Sequence, residues 1–489
     1  MMCERLGWMT KNIIKQVGFG IIFAFALCLA PVVVQAEDTG GYEGGASAVY
    51  EETEVSNPRL EYLCSLVSLA SYSDRIGLVA RESLADHGWV LQPYREDTEK
   101  VAAKYYFMKN EMSPDIGARY IVSVTGTSDL KDVKADLSIR KVPFAGCTPD
   151  EFDREMKRSK MTFSEPLVHG GFARYTQTAF FSHREDGKTF GEEIRDILAG
   201  EPNARLCITG HSLGGAVAVL FAARLMDMGV PAAQLDVVTF GAPAVGNRAF
   251  ADAYSDMHVS RIAMASDPIH AVLQSVDTSY VQFGSLQRWS RPRGSEQFAH
   301  DMTGYADVAL RKFYDDVTLR RRESERFLED GVPYEGDAMR SRSLFEEERT
   351  TPQVLLFADY TLDDAIIDDL PYMRLAAFDI LSKETDGLAA SRTAFSSLPG
   401  DNKVAEAIRQ ARDMGCRYVL IQKYASERLK NKRFGYKISL EESLYDRRGN
   451  PLVIQVFTTN TDTMTPILAA LYNEGAGRES RQAVLKSEK

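Results

Sequence analysis

The sequence is poor in the residues from which metal centres and disulfide scaffolds are built. Six cysteines occur in 489 residues. The four that lie beyond the N-terminal segment, Cys64, Cys147, Cys207 and Cys416, are scattered and form no Cys-x-x-Cys, so neither a zinc site nor a dense disulfide framework is expected. A His-Glu-x-x-His pattern is absent. Gly187-Lys188-Thr189 is not a phosphate loop, because Ser182 stands where that motif requires its first glycine. No metal and no cofactor is therefore anticipated. Basic residues are in deficit, 58 against 69 acidic, and without the first 36 residues the net charge is −13. That balance argues against nucleic acid as a partner. Internal repeats are lacking, and only one apolar run approaches the length that crosses a bilayer.

That run, from Val17 to Val34, follows Arg5, Lys11 and Lys15 and ends in Val34-Gln35-Ala36. Basic residues, an apolar stretch broken by Gly18, Gly20 and Pro31, and small residues at a cleavage position make residues 1–36 a secretory signal. The expected location is exported: periplasmic, outer-envelope or secreted. The alternative is an uncleaved segment anchoring the chain in the inner membrane. An export signal permits a disulfide without demanding one. The acidic, Gly- and Ser-rich stretch 37–58 reads as a leader. A length of 489 residues exceeds one ordinary core, so two folded units are expected: 59–305, and 351–475 followed by a tail at 476–489, with a charged helical linker at 306–350.

The stretch around which the chain is organised is Cys207-Ile-Thr-Gly-His-Ser-Leu-Gly-Gly-Ala216. Gly-x-Ser-x-Gly between a strand (Arg205 to Thr209) and a helix (Ala216 to Met228) is the pattern of a nucleophile elbow, a turn so tight that the serine's neighbours must lack side chains. Gly210 and Gly214 fill those positions. Ser212 would sit at a helix N-terminus, near backbone N–H groups that favour developing negative charge. Upstream, apolar residues at helical spacing run from Arg59 to about Ala85. Strand-like runs follow at Trp89 to Pro93, Val101 to Met108 and Tyr120 to Thr125. The last ends in Gly126-Thr127, where an oxyanion donor would be needed in addition to the N–H of Leu213.

Taken together, these motifs resemble the class 3 lipases, the family of secreted fungal triacylglycerol lipases and their bacterial relatives. The resemblance rests on Thr125-Gly126-Thr127, Asp132 to Leu137, His169-Gly170-Gly171-Phe172, Gly210 to Gly215, Phe240-Gly241-Ala242-Pro243 and Ser266-Asp267-Pro268-Ile269, in the family's order, over about residues 60–305. Thr125 departs from the arginine usual in the family. An α/β-hydrolase fold is implied, with a mostly parallel sheet and flanking helices, as is a lipid or ester substrate met at a membrane or lipid interface. By its place in the chain, the segment 138–168 is either a lid or a plain surface excursion.

The other triad members follow from chain order, which in this fold runs Ser, acid, His. Of seven histidines, only His258, His270 and His300 lie beyond Ser212. Asp267 stands just past a strand-like run, Arg261 to Ala265, where such sheets place functional residues. His258 precedes Asp267, and His270 follows it by three residues, too near to reach the serine while supported by that acid. His300, in Phe298-Ala-His-Asp-Met-Thr-Gly-Tyr305, remains. The expected chemistry is acyl transfer by Ser212, His300 and Asp267, with the oxyanion held by Thr127 and Leu213. His169 and His211 read as structural.

Beyond the linker, strand-like runs at Val354 to Phe357 and Tyr418 to Gln422, a helix from Lys403 to Met414 and a hairpin turning at Arg448-Gly-Asn-Pro451 read as a smaller α/β unit. The helix, Gly415-Cys-Arg-Tyr-Val-Leu420 and Asp446-Arg-Arg-Gly449 resemble the amino-terminal domain of the Tol-system periplasmic protein, which implies docking to an envelope protein. The rival to an enzyme is an envelope scaffold or lipid-binding protein whose lipase-like unit is not catalytic.

Overall fold

The computed structural model describes residues 56–486 except 73–74, 87, 99–100, 111–118, 127–139, 183–186, 293–299, 328–338, 341–352, 393, 431 and 433–434. Residues 1–36, expected to be an export signal, most of the expected leader 37–58, and Thr127 lie outside the described residues.

Two helices open the described chain, α1 (Pro58–Ala70) and α2 (Arg75–Asp86). Asn57 caps the first, its side chain accepting the Leu60 N–H at 3.2 Å. A seven-stranded sheet follows: β1 (Trp89–Asp97), β2 (Ala102–Asn110), β3 (Tyr120–Val124), β6 (Leu206–His211), β7 (Leu235–Phe240), β8 (His258–Met264) and β9 (Ser285–Trp289), adjacent in that order. From β3 onward every pairing is parallel; β1 and β2 are antiparallel additions at one edge. The missing numbers belong to a short antiparallel pair, β4 (Lys141–Pro143) and β5 (Leu167–His169).

Parallel strands covered on both faces read as unbroken apolar runs, and β3 and β6 are buried at every residue. Side chains alternate between the faces. Val122, Val124, Leu206, Ile208 and Val237 meet α4 (Gly170–Phe180), α5 (Phe190–Gly200) and α6 (Leu213–Asp227), whereas Ile121, Cys207, Val238 and Ile262 meet α1, α2 and α9 (Met302–Phe327). Between α6 and α9 come two short helices, α7 (Arg248–Ala253) and α8 (Val272–Val276); α3 (Pro149–Met156) lies between β4 and β5.

A second sheet runs β10 (Met339–Arg340), β12 (Ala389–Ser391), β11 (Val354–Thr361), β13 (Tyr418–Arg428), β14 (Tyr436–Asp446) and β15 (Pro451–Asn460), with α11 (Lys403–Asp413) on one face and α10 (Leu370–Glu384) and α12 (Pro466–Lys486) on the other. The fold is therefore α/β, with a larger mostly parallel sheet and a smaller mixed one.

Two expectations about organisation change. The segment from residue 306, expected as a charged helical linker, is helical but at its start belongs to the core: Ala306, Val308, Ala309, Leu310 and Tyr314 are buried in α9. Its high charge disguised a stripe at helical spacing, Met302, Tyr305-Ala306, Ala309-Leu310 and Tyr314, which packs against both sheets' helices. Residues 476–486 are likewise no tail but the second half of α12, with Gly477, Arg481 and Leu485 buried. One apolar cluster accordingly runs from α1 and α9 to Met373, Ala376, Ile467 and Leu468 of α10 and α12.

Beneath α12, Arg481 is 1 % exposed and faces three carboxylates: Glu384 through paired bonds of 2.8 and 3.0 Å, Glu442 at 2.5 Å and Glu474 at 3.2 Å. Glu474 also accepts from Gln422 at 2.7 Å and from the Tyr424 hydroxyl. Burial, opposed by Arg481 and reinforced by Glu384, pushes the Glu474 carboxyl from 4.5 up to about 7. The native state then keeps a proton that the unfolded chain releases above its ordinary value, so stability falls as pH rises from about 4.5 through about 7. Glu474→Gln removes this dependence. Urea unfolding of both proteins at about pH 5 and about pH 8 should show the variant gaining on the wild type at the higher pH; an unchanged gap would contradict the assignment.

Candidate active site

Strand β6 delivers the chain into the centre of the larger sheet, and the turn to α6 follows at once. Ser212 sits there with φ 57° and ψ −125°, a backbone conformation that side chains other than glycine seldom adopt. Its own N–H is tied to the Phe240 carbonyl at 2.9 Å. A Cβ on Gly210 would come within 2.4 Å of the Gly214 carbonyl carbon, and one on Gly214 within 2.2 Å of the Val124 oxygen. Glycine at both positions is thus a matter of space: strand, turn and helix backbones touch. Leu213 opens α6, so its N–H belongs to the first turn, which has no partner within the helix.

His300 lies two residues before α9. Its Nε2 is 2.8 Å from Ser212 Oγ and its Nδ1 is 2.8 Å from Asp267 Oδ2. A carboxylate only accepts, so Nδ1–H donates to Asp267 and Nε2 is left to accept the Ser212 hydroxyl proton. Asp267 stands three residues past β8 with its side chain fully buried. Its Oδ2 also accepts from the Tyr305 hydroxyl at 2.5 Å, and its Oδ1 from the Ile269 N–H at 2.9 Å. Burial acts against the ionised carboxyl, but the bond and charge of His300, with Tyr305 and Ile269, outweigh it and hold the pKa below the ordinary value. Gly241, with φ +59°, leaves room for this group: a Cβ there would lie 2.5 Å from Asp267 Oδ2 and 2.9 Å from the Tyr305 oxygen.

The sequence-predicted residues Ser212, Asp267 and His300 are thus brought into one hydrogen-bonded line, with Leu213 beside it. Thr127 lies outside the described residues. Gly126, just before it, runs against the elbow, where a Cβ would meet the His211 carbonyl oxygen at 2.7 Å. The two histidines passed over for the acid's partner lie elsewhere. His270 bonds the Asp267 carbonyl at 2.6 Å, and His258 is an exposed side chain 3.7 Å from Asp236. His169 caps α4, accepting the Phe172 N–H at 3.3 Å. Among the described residues no group of three or more His, Cys, Asp or Glu side chains is placed to hold a metal ion.

Sequence reasoning missed two supports. Tyr305 follows His300 by just over one helical turn, an aromatic spacing visible in the chain though its bond to Asp267 is not. Tyr72, 139 residues before His211, carried no signal at all. Its hydroxyl lies 2.8 Å from His211 Nδ1, and His211 Nε2 lies 2.7 Å from the His300 carbonyl oxygen. The only consistent arrangement has Tyr72 donating to Nδ1 and Nε2–H donating to that carbonyl. His211 therefore holds the backbone of His300. The described part of 138–168 packs against α4 and its end: Phe152 of α3 stacks on Phe181 and meets Phe180 edge-on, Asp153 accepts from Gln177, and Phe163 is left 80 % exposed.

Residues 121–275 match the family model described as Lipase (class 3). Curated relatives include the secreted mono- and diacylglycerol lipase A of Penicillium cyclopium, 43% identical over 60 residues, which are 12% of this chain and 19% of that protein. Lipase A of Sodiomyces alcalophilus is 32% identical over 154 residues, 30% of this chain and 34% of that protein. The chloroplastic phospholipase A(1) DAD1 of Arabidopsis thaliana is 37% identical over 89 residues, 18% of this chain and 19% of that protein. The chain spans less than two fifths of the length of each of these relatives. Among solved structures, the native Rhizomucor miehei lipase propeptide complex is 17% identical, with 54% of this chain and 78% of that one covered and a TM-score of 0.35. The lipase of Rhizopus microsporus var. chinensis is 18% identical over 48% of this chain and 75% of that one, with a TM-score of 0.35.

Burial, and then the neighbouring His300, lower the His211 pKa from 6.5 to about 3. Because the native ring stays neutral where the unfolded one charges, this residue's contribution to stability is lost as pH falls from about 6.5 toward about 3. Histidine-resolved NMR should show the His211 ring neutral from about pH 8 down to about pH 4; a titration step near the ordinary histidine value would contradict the bonding described. Strand, elbow and acid-bearing strand end all fall within residues 121–275, the part of this chain that matches the class 3 lipase model.

Proposed function

We propose that this protein is a serine carboxylester hydrolase acting on glycerolipid esters through an acyl-enzyme. The observation that carries the reading is the line from Ser212 Oγ through the His300 ring to Asp267 Oδ2, both hydrogen bonds 2.8 Å, at a serine held with positive φ. His300 Nε2 takes the hydroxyl proton as Ser212 Oγ bonds to the ester carbonyl carbon, and Asp267 steadies the resulting imidazolium. The oxyanion is met by the N–H of Leu213 at the start of α6 and, from the sequence reading, by Thr127. Collapse of the tetrahedral adduct breaks the ester C–O bond, and the proton on Nε2 passes to the departing alkoxide. Water, deprotonated by the same nitrogen, then releases the carboxylic acid and restores Ser212.

The family match and relatives named for acylglycerols and phospholipids support the proposed substrate class, and the expected site of action is a lipid interface. Export remains the proposed destination, on the basis of residues 1–36 and of a relative named as secreted, with an uncleaved membrane anchor as the alternative. No described helix is long and apolar enough to cross a membrane. A non-catalytic scaffold would have no need of a buried acid that accepts from three donors, His300, Tyr305 and the Ile269 N–H, behind an imidazole turned to the serine.

Kinetics on p-nitrophenyl esters of increasing acyl length test the proposal. Ser212→Ala and His300→Ala should each lower kcat by a factor on the order of 10⁴ or more, and Asp267→Asn by about 10⁴, with all three variants folded. Comparable hydrolysis by folded Ser212→Ala, or none by folded wild type with or without a lipid interface, would refute it.

A further inference from the structure

The helix that begins beside His300 is gripped eleven residues further on by the other sheet's helical layer. Arg311 of α9 donates from Nε to Asp307 Oδ1 at 2.6 Å, and from Nη2 to Asp369 Oδ1 at 2.7 Å across to the residue that precedes α10. The side chains of Asp307 and Asp369 are 0% and 2% exposed and that of Arg311 12%. Tyr372 of α10 lies under that guanidinium, 4.9 Å from ring centroid to charge, and its hydroxyl reaches Asp315 of α9 at 3.1 Å.

A buried ion pair is poor evidence for stability, because desolvation offsets most of the attraction and well-packed apolar side chains hold two helices equally well. What a planar fork of donors adds is direction: it fixes rotation and axial setting where apolar packing allows slip. On α9 that setting matters at the other end. Nine residues of helix, about 14 Å, separate Arg311 from Met302. Within that span Tyr305 bonds Asp267, and just before it His300 bonds Ser212.

We propose that Arg311 and Asp369 are positioning residues for His300: through this pair the second sheet's helical layer sets α9, and α9 sets the imidazole against Ser212. The proposal rests on the ester-hydrolase reading above. It makes residues 353–486 part of the catalytic apparatus, without a catalytic group of their own. A displacement of about 1 Å at a reacting group costs as much as 100-fold in rate, so a small turn of α9 is enough to be read. Burial, opposed by Arg311 and reinforced by Asp307, pushes the Asp369 carboxyl up to about 7. An uncharged amide of the same shape is therefore a fair substitute there.

The test uses the full chain and separates kcat from KM. Asp369→Leu leaves Arg311 paired with Asp307 and should lower kcat about 10-fold or more, with KM within about two-fold, while Asp369→Asn, whose amide oxygen still accepts from Nη2, stays within about three-fold of wild type. Should Asp369→Leu fail to fold, Arg311→Lys, which keeps the charge but loses the fork, carries the same expectation. The proposal falls if folded Asp369→Leu keeps wild-type kcat, if the Leu and Asn variants are equally impaired, if KM rises in step with the loss of kcat, or if neither disruptive variant folds. Wild type that hydrolyses no ester defeats the underlying reading instead; active wild type with an indifferent Asp369→Leu defeats only this one.

Discussion

The site depends on a backbone contact. At the elbow, β6, the Ser212 turn and the first residues of α6 lie so close that Gly210 and Gly214 have no room for a methyl group, and the end of β3 closes the same space from the other side. This crowding keeps Ser212 at positive φ, a conformation disfavoured by roughly 1–3 kcal/mol and retained because the surrounding strands leave the chain no alternative. Once the turn is set, the hydroxyl direction, the helix N–H groups and the distance to β8 follow from the sheet itself.

What remains is to bring an imidazole to the hydroxyl, and here the chain uses a helix rather than a strand. His300 is placed by three restraints from three directions: Asp267 on Nδ1, His211 on its carbonyl, and α9 immediately behind it. Each restraint is supported in turn, Asp267 by Tyr305, His211 by Tyr72, and α9 by Arg311. The buried polar groups nearest the proposed reaction thus form one connected network in which every ring nitrogen has a defined partner, an arrangement that rigidifies when complete.

Local chemistry made the elbow, the acid and the histidine legible in the sequence. Glycine spacing identifies the turn without knowledge of the rest of the fold, and chain order leaves His300 as the one histidine able to serve Asp267 and Ser212 together. Tyr72 could not be found that way, because its partner is a hundred and more residues distant and a tyrosine closing a helix has many uses. The start of α9 was misread for a different reason. Composition averaged over 306–350 records only the density of charge, whereas the described start of the segment follows the buried stripe of Ala306, Ala309, Leu310 and Tyr314. Arg481 and Arg311 illustrate the same limit: an arginine in a charged helix gives no hint that its partners include buried carboxylates on other elements.

The account stands or falls on whether Ser212 is an activated nucleophile, and covalent capture asks this without assuming a substrate. A fluorophosphonate incubated with the folded full-length chain should leave a single adduct, located by peptide mass spectrometry on Ser212, with His300→Ala labelled on the order of 10³-fold more slowly or worse. Intact, folded protein that takes up no phosphonate, or takes it up at another serine at an undiminished rate in Ser212→Ala, would contradict the central claim.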